Sequence, residues 1–398
     1  MFAHVAPYAG DPILSLIEKY AHDERANKVN LGVGIYYDEA GRIPVLESVR
    51  AAALRVLSAN QPTSYLPIEG DRDYRALVGR LLFGESFDAS GNSVAIVQSV
   101  GGSGALKVGA DFLRHHFPSS TVYVSDPTWD NHIGIFEGAG FQVGRYRYYD
   151  AATKGLDFEG MLADLHELNE HDIVLLHPCC HNPTGVDPDR AQWLQILDKV
   201  QERKLIPFVD IAYQGFGDSL DEDSFVIREL AQRGENFLIS NSFSKIFSLY
   251  GERCGALTVH CADASQTQNV LGQLKLTVRR NYSSPPTQGM RLISTVLGDV
   301  ALRSEWIGEL SSMRERIVVM REQLHAALKS AAPHLDFEHI VKQRGMFAYT
   351  GLGSSQVKAL QSDFGVYAVS TGRICIAGLN TSNVRYVADA FARVVQSH

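Results

Sequence analysis

No CxxC pair occurs in these 398 residues, and the five cysteines, two of them adjacent at Cys179 and Cys180, leave an odd count. A disulfide framework or a zinc site is therefore not expected, and reduced cytoplasmic thiols are the simplest account. Positive charge is also in short supply. With 37 Lys and Arg against 45 Asp and Glu, the net charge is -8. Nucleic acid and anionic membranes are usually met by clustered Lys and Arg, so neither is an expected partner. The opening MFAHVAPYAGDPIL has no basic segment followed by an apolar run and nothing long enough to span a bilayer, so a cytosolic chain is expected. Internal repeats, low-complexity segments and linkers are lacking. So is a GxGxxG fingerprint, which argues against a dinucleotide ligand.

What is present is an ordinary globular composition, 45% hydrophobic and 21% charged, enough for two or three domains' worth of core. Asp11 as N-cap and Pro12 in the first turn signal an opening helix with Ile13, Leu16, Ile17 and Tyr20 on its apolar face. A glycine-rich segment, VNLGVGIYYDEAGRIPVL, comes next; its Gly32 and Gly34 are read as relieving turn geometry. Residues 1–45 are expected to form an arm and part of a small domain, 46–310 a large domain, and 311–398 the rest of the small domain.

From Val94 onward short apolar runs alternate with amphipathic stretches of helical length. The runs are VAIVQ, TVYVS, FQVGRY, DIVLLH, LIPFVD, FLISNS and GALTVH. Such alternation predicts an α/β fold with a mostly parallel sheet covered on both faces. Ligands gather at the carboxyl ends of such strands, and the chemically suggestive residues fall there. Gly101, Gly102, Ser103 and Gly104 lead into a helix, either as a tight turn or as a phosphate cradle. Trp129 follows the second run, either as core or as a stacking face for a ring. Asn182 lies in a proline-bounded turn after His177. Asp210 ends an otherwise apolar strand, where an acid is costly unless paired, and Tyr213 follows one turn later.

The stretch SNSFSKIFSLYGERCG, Ser240 to Gly255, sits between two of these apolar runs. At its centre, Lys245 is either a solvated surface lysine or a partly desolvated amine able to form a Schiff base. Ser242, Ser244 and Arg253 flank it. A nucleophilic lysine, an anion cradle, a stacking ring, a strand-end acid and arginine forks at Arg279 and Arg373 together match what pyridoxal phosphate requires.

The Gly101–Gly104 turn, DPTWDNH, HPCCHNPTG, DIAYQGF, SNSFSKIFSLYGERCG, VRRNYSSPP and GVYAVSTGRICIAG together resemble the class I, fold-type I aminotransferases of the aspartate and aromatic branch. The likeness covers essentially the whole chain. VRRNYSSPP and SFSKIFSLYGER look most like the bacterial aromatic-amino-acid members. The resemblance implies a seven-stranded large domain, a smaller α+β domain, an N-terminal arm and a symmetric dimer. It implies that Lys245 carries the cofactor and shuttles the substrate α-proton. Asp210 would pair with the pyridinium nitrogen, held by His132 and His177. Trp129 would stack on the ring, while Asn182 and Tyr213 would bond its phenolic oxygen. Gly102, Ser103, Ser242, Ser244 and Arg253 would hold the phosphate, joined by Tyr65 of the neighbouring subunit. Arg373, assisted by Asn182, would take the substrate α-carboxylate, and Arg279 of the neighbour a second carboxylate. Gly34, Ile35 and Phe347 would line the substrate.

The implied reaction is transamination of tyrosine, phenylalanine, aspartate and glutamate with 2-oxoglutarate. Its alternatives are a strict aspartate aminotransferase, a ligand-sensing regulator on the same fold, and a lyase or decarboxylase. Two substrate arginines favour transamination between dicarboxylic partners. A buried Arg279 left unpaired by an aromatic substrate would cost roughly 3 to 5 kcal/mol. It is therefore expected to swing towards solvent, helped by the small Ser284 where strict aspartate enzymes of the family have asparagine.

Overall fold

A computed structural model describes residues 1–7, 10, 13–87 and 93–397. The expected cap residues Asp11 and Pro12 lie outside the described residues; the helix they would open runs Leu14–His22. The chain divides into two compact units, one of Met1–Ile43 with Arg316–His398 and one of Pro44–Glu315.

The larger unit is built on a seven-stranded sheet. Its strands are β1 Val94–Val100, β2 Val122–Asp126, β3 Val143–Arg147, β4 Ile173–Leu176, β5 Ile206–Ile211, β6 Phe237–Ser242 and β7 Cys254–His260. They lie in the order β1-β7-β6-β5-β4-β2-β3. The neighbours from β6 to β3 pair in parallel, whereas β7 runs antiparallel to both β1 and β6. Strand β4 is buried at all four positions, as a parallel strand covered on both faces should be. Helices Gly101–His116 and Thr267–Asn281 close one face, where Val97, Leu106, Val124, Phe208, Leu257 and Leu274 form the core.

Helix starts follow the sequence chemistry. The Asp71 carboxylate accepts from the Tyr74 N–H, and Asp189 with Gln192 forms a capping box at Arg190–Glu202. All five cysteines are free and buried.

The reversal of β7 decides which residues reach the carboxyl rim of the sheet. Because β7 is antiparallel, its first residue lies at the rim where β1, β5 and β6 end; Cys254 is paired with Val100 and Gly255 with Ser242. Arg253, which immediately precedes β7, is thereby brought to that rim.

The smaller unit carries two short pairings. Val29–Asn30 runs parallel to Val366–Tyr367, and Phe347–Tyr349 runs antiparallel to Arg373–Cys375. Helices Ser354–Phe364 and Val384–Ser397 pack beside them, the former ending at Gly365 in the left-handed conformation.

Candidate active site

Six segments meet at the carboxyl rim of the large sheet. Lys245 is the centre of the turn between β6 and β7, and local packing fixes it. On either side of Lys245 the chain buries Phe243, Ile246 and Phe247. Trp306 stacks on Phe247 at 4.6 Å and donates its indole N–H to the Ile246 carbonyl at 2.7 Å. With its apolar neighbours anchored, Lys245 stands half-buried with Nζ 5.2 Å from the centre of the Tyr213 ring. Tyr213 is itself buried, just beyond the end of β5.

Asp210, 8% exposed, accepts a hydrogen bond from His132 Nε2 at 3.0 Å. A carboxylate can only accept, so Nε2 carries a proton, while Nδ1 is hydrogen-bonded with the Thr128 hydroxyl at 2.9 Å. Burial works to raise the Asp210 pKa, but the His132 hydrogen bond and charge, with His177 and Ser240, outweigh it and hold the carboxyl below its ordinary value. It is therefore a stable buried anion facing the rim. Trp129 caps the following helix, its ring edge-on to His132 at 5.1 Å, partly packed on the core and partly open.

Behind His132 lie two further imidazoles. His177 is 5.1 Å away, and neither of its nitrogens has a partner among the described residues. His181, which nothing in the sequence singles out, joins Ser125 at 2.8 Å and Thr184 at 2.8 Å while stacking on Tyr148 at 4.0 Å. Burial pushes the His177 pKa down to about 3 from the ordinary 6.5, and burial likewise drives His181 well below its usual value. Both are neutral in the fold yet take a proton near pH 6.5 once unfolded. The unfolded chain thus binds more protons between about pH 6.5 and 3, and stability is fully present above that window and falls as pH drops through it. The loss should approach roughly 1.4 kcal/mol per pH unit for each histidine. Urea midpoints of the wild type should fall between pH 7 and 5, and His177→Gln should flatten that slope; an unchanged slope would contradict the assignment.

The expected anion cradle is assembled at the other end of the rim. Ser242 Oγ and Ser244 Oγ are 3.2 Å apart, and Arg253 Nη1 donates to Ser244 Oγ at 3.3 Å. Arg253 holds a left-handed φ of 53°. The helix Gly101–His116 begins beside them, with Ser103 in its first turn. Glycine is needed here for space: a Cβ on Gly101 would lie 2.6 Å from Arg253 Nη2 and one on Gly102 3.2 Å from Ser242 Cβ. Ser240, also without a signal in the sequence, donates to the Gly102 carbonyl at 3.2 Å and ties the glycine turn to β6. Arg253 makes no ion pair among the described residues, so hydroxyls, backbone N–H groups and one cation converge without a competing carboxylate. Such a set fits a phosphate. Asn182, buried at 8% exposure, follows β4 in a turn closed by the Gly185 N–H bonding the His181 carbonyl.

A metal is a poorer fit. His132, His177 and Asp210 offer ligand atoms within 4.8 Å of one another, but both His132 nitrogens are committed. The similar group of Cys179, Cys180 and Asp223 has its carboxylate taken by the N–H groups of Gly215, Gly217 and Asp218.

Tyr65 and Arg279 are not drawn into this cluster. Tyr65 is 94% exposed in the segment before Arg72–Phe83, and Arg279 is exposed at the end of Thr267–Asn281, bonded to Ser283 Oγ. Ser284 is not merely small: its hydroxyl donates to the Leu66 carbonyl at 3.0 Å.

In the smaller unit, Arg373 is buried at 4% exposure, donates to the Gly32 carbonyl at 2.7 Å and sits 4.4 Å over the Phe347 ring. Arg321, a residue the sequence gives no reason to single out, holds the Phe347 segment by donating to the carbonyls of Ile340, Gly345 and Phe347. Gly32 and Gly34 both lack positive φ, so turn geometry is not their reason. A Cβ would lie 2.7 Å from Leu16 Cδ1 at Gly32 and 2.9 Å from the Phe347 ring at Gly34. Close approach explains both.

Residues 26–391 match the family model for aminotransferase class I and II. The chain is 54% identical to a tyrosine aminotransferase of Klebsiella pneumoniae over 99% of its length and 100% of the relative's. It is 48% identical to an aspartate aminotransferase of Pseudomonas aeruginosa, with the same coverage. Among solved structures it is similar to an aromatic-amino-acid aminotransferase from Burkholderia pseudomallei covalently bound to pyridoxal phosphate. The TM-score is 0.97 at 50% identity, over 99% of each chain.

Proposed function

This chain belongs to the class I and II aminotransferases, and from that premise we propose that it moves amino groups reversibly among tyrosine, phenylalanine, aspartate and glutamate, with 2-oxoglutarate as acceptor. It is a pyridoxal-phosphate enzyme, and the observation that carries the reading is the rim itself. An amine, a buried carboxylate and an uncontested anion cradle project from one rigid sheet edge, matching the aldehyde, ring nitrogen and phosphate of that cofactor. When bound, the cofactor supplies an aldehyde that captures the substrate amine and a ring that accepts electron density from its α-carbon.

The protein's own residues do the rest. Gly102, Ser103, Ser242, Ser244 and Arg253 would hold the phosphate, Trp129 would cover the ring, and Asn182 and Tyr213 would hydrogen-bond the phenolic oxygen. Asp210, kept anionic by His132, holds a proton on the ring nitrogen. Lys245 Nζ would hold the proton that leaves the substrate α-carbon and act as the acid and base of the transfer. Arg373 orients the substrate α-carboxylate through a two-pronged fork, each charge-assisted bond contributing roughly 1.5 to 3 kcal/mol, with Asn182 assisting and Gly34, Ile35 and Phe347 lining the substrate. Tyr65 and Arg279, standing out from the surface of their own chain, serve the site of a second copy in a symmetric dimer with an embracing N-terminal arm. A cytoplasmic setting agrees with the five free, buried thiols.

Arg279 bonds to the Ser283 hydroxyl on its own chain, and with an aromatic substrate in the site it would swing towards solvent rather than stay unpaired. Initial rates with tyrosine and with aspartate against 2-oxoglutarate test the dual specificity. Arg279→Ala should lower kcat/KM for aspartate by roughly 10²- to 10³-fold and leave phenylalanine nearly unchanged. Equal losses on both would sink the role of Arg279. A wild type that turns over aspartate but not tyrosine would instead make it a strict aspartate aminotransferase, the reading favoured by the Pseudomonas relative.

A further inference from the structure

We propose that Gln98 is a positioning residue for substrate choice, fixing the Tyr65 and Arg279 segments against one strand as a single unit. This role rests on the proposed function, in which Arg279 receives the second carboxylate. Gln98 lies on β1, one of the two edge strands of the sheet, and is fully buried. Its main chain turns both polar groups to the two segments: the N–H donates to the Glu69 carbonyl at 2.9 Å, and the carbonyl accepts from the Tyr282 hydroxyl at 2.8 Å. Its side-chain Nε2 donates to the Pro286 carbonyl at 2.7 Å. One residue therefore holds the backbone four positions after Tyr65 and, three and seven positions after Arg279, both ends of the turn that comes after it.

Other contacts close the frame. Ser284 Oγ bonds the Leu66 carbonyl at 3.0 Å, Lys275 pairs with Glu69 at 3.0 Å, and Arg291 donates to the Pro62 carbonyl at 2.7 Å. Gly70, at φ 90°, has no room for a side chain because a Cβ would fall 2.4 Å from Gln98 Cβ. Its conformation and its lack of a side chain both serve the glutamine.

The glutamine is itself the informative choice. Its Oε1 is buried with no partner among the described residues, so only the donor half of the amide is hydrogen-bonded. An aliphatic side chain of the same length would avoid that penalty. What it could not do is donate to the Pro286 carbonyl. The unsatisfied oxygen thus marks Gln98 as kept for its donor, and the donor acts on the Arg279 segment.

Displacing a substrate-binding group by about 1 Å costs roughly 10²-fold in rate. Gln98→Met, which keeps the length and loses the donor, should raise the KM for aspartate and for 2-oxoglutarate by roughly 10- to 100-fold. The kcat with phenylalanine should stay within about threefold. In an Arg279→Ala background, Gln98→Met should cause no further loss on aspartate, because the group it positions is gone. Tyr282→Phe removes one bond of the same frame and should shift the aspartate KM in the same direction, keeping the test available if Gln98→Met does not fold. Equal losses on aspartate and phenylalanine, or full additivity with Arg279→Ala, overturn the proposal while leaving the role of Arg279 intact. An Arg279→Ala variant that itself fails to discriminate the substrates overturns both.

Discussion

Lys245→Ala should lower kcat for every amino donor by roughly 10⁴-fold, tyrosine and aspartate alike, with the fold and the cofactor's phosphate contacts retained. The uniformity comes from position. Lys245 sits on a turn whose neighbours Phe243, Ile246 and Phe247 are buried and pinned by Trp306, and in the proposed function its Nζ would serve the reacting centre and not one substrate side chain. Arginine should not rescue it, because a guanidinium cannot give up its proton to act as a base. Stopped-flow absorbance with saturating aspartate and then tyrosine would measure the loss. A defect confined to one substrate, or smaller than about tenfold, would remove Lys245 from the proton-transfer step.

Asp210→Asn should be nearly as damaging. The carboxylate is 8% exposed and held ionised by His132, and the amide that replaces it carries no charge to keep a proton on the ring nitrogen. Losing one partner of a buried charge pair costs roughly 3 to 5 kcal/mol, which corresponds to a fall in kcat/KM of roughly 10²- to 10⁴-fold. Asp210→Glu should retain part of the activity, since charge survives and only distance changes. Because the Asp210 pKa lies below its ordinary value, the carboxylate stays charged at neutral pH, and an acid limb of the rate profile near neutrality must come from another group. Asparagine with near-normal turnover would show that the charge is not needed.

The central sheet is legible in the sequence because its strands are buried on both faces and so read as unbroken apolar runs, β4 most plainly. The direction of β7 is not legible. GALTVH has the same composition read either way, and only the three-dimensional pairing shows that its first residue lies at the carboxyl rim and brings Arg253 with it. Lys245, Asp210 and Trp129 stand out because a polar or aromatic residue at the end of an apolar run has to be explained. Their supports do not. Trp306 lies 60 residues from the carbonyl it fixes, and Ser240 looks like any other strand serine. Gly34 reads locally as a turn residue, yet its negative φ and the Phe347 ring at 2.9 Å from where a Cβ would stand give it a packing role no local rule reveals. Ser284 stands out in the sequence for its small size, whereas its hydroxyl ties two distant segments together.

The central claim is that Lys245 is the amine that carries the cofactor. Reducing the purified holoenzyme with borohydride and mapping the modified peptide tests it without relying on turnover. A pyridoxyl mass on Lys245, within the segment Ser240–Gly255, is the predicted result; the same mass on any other lysine would contradict it.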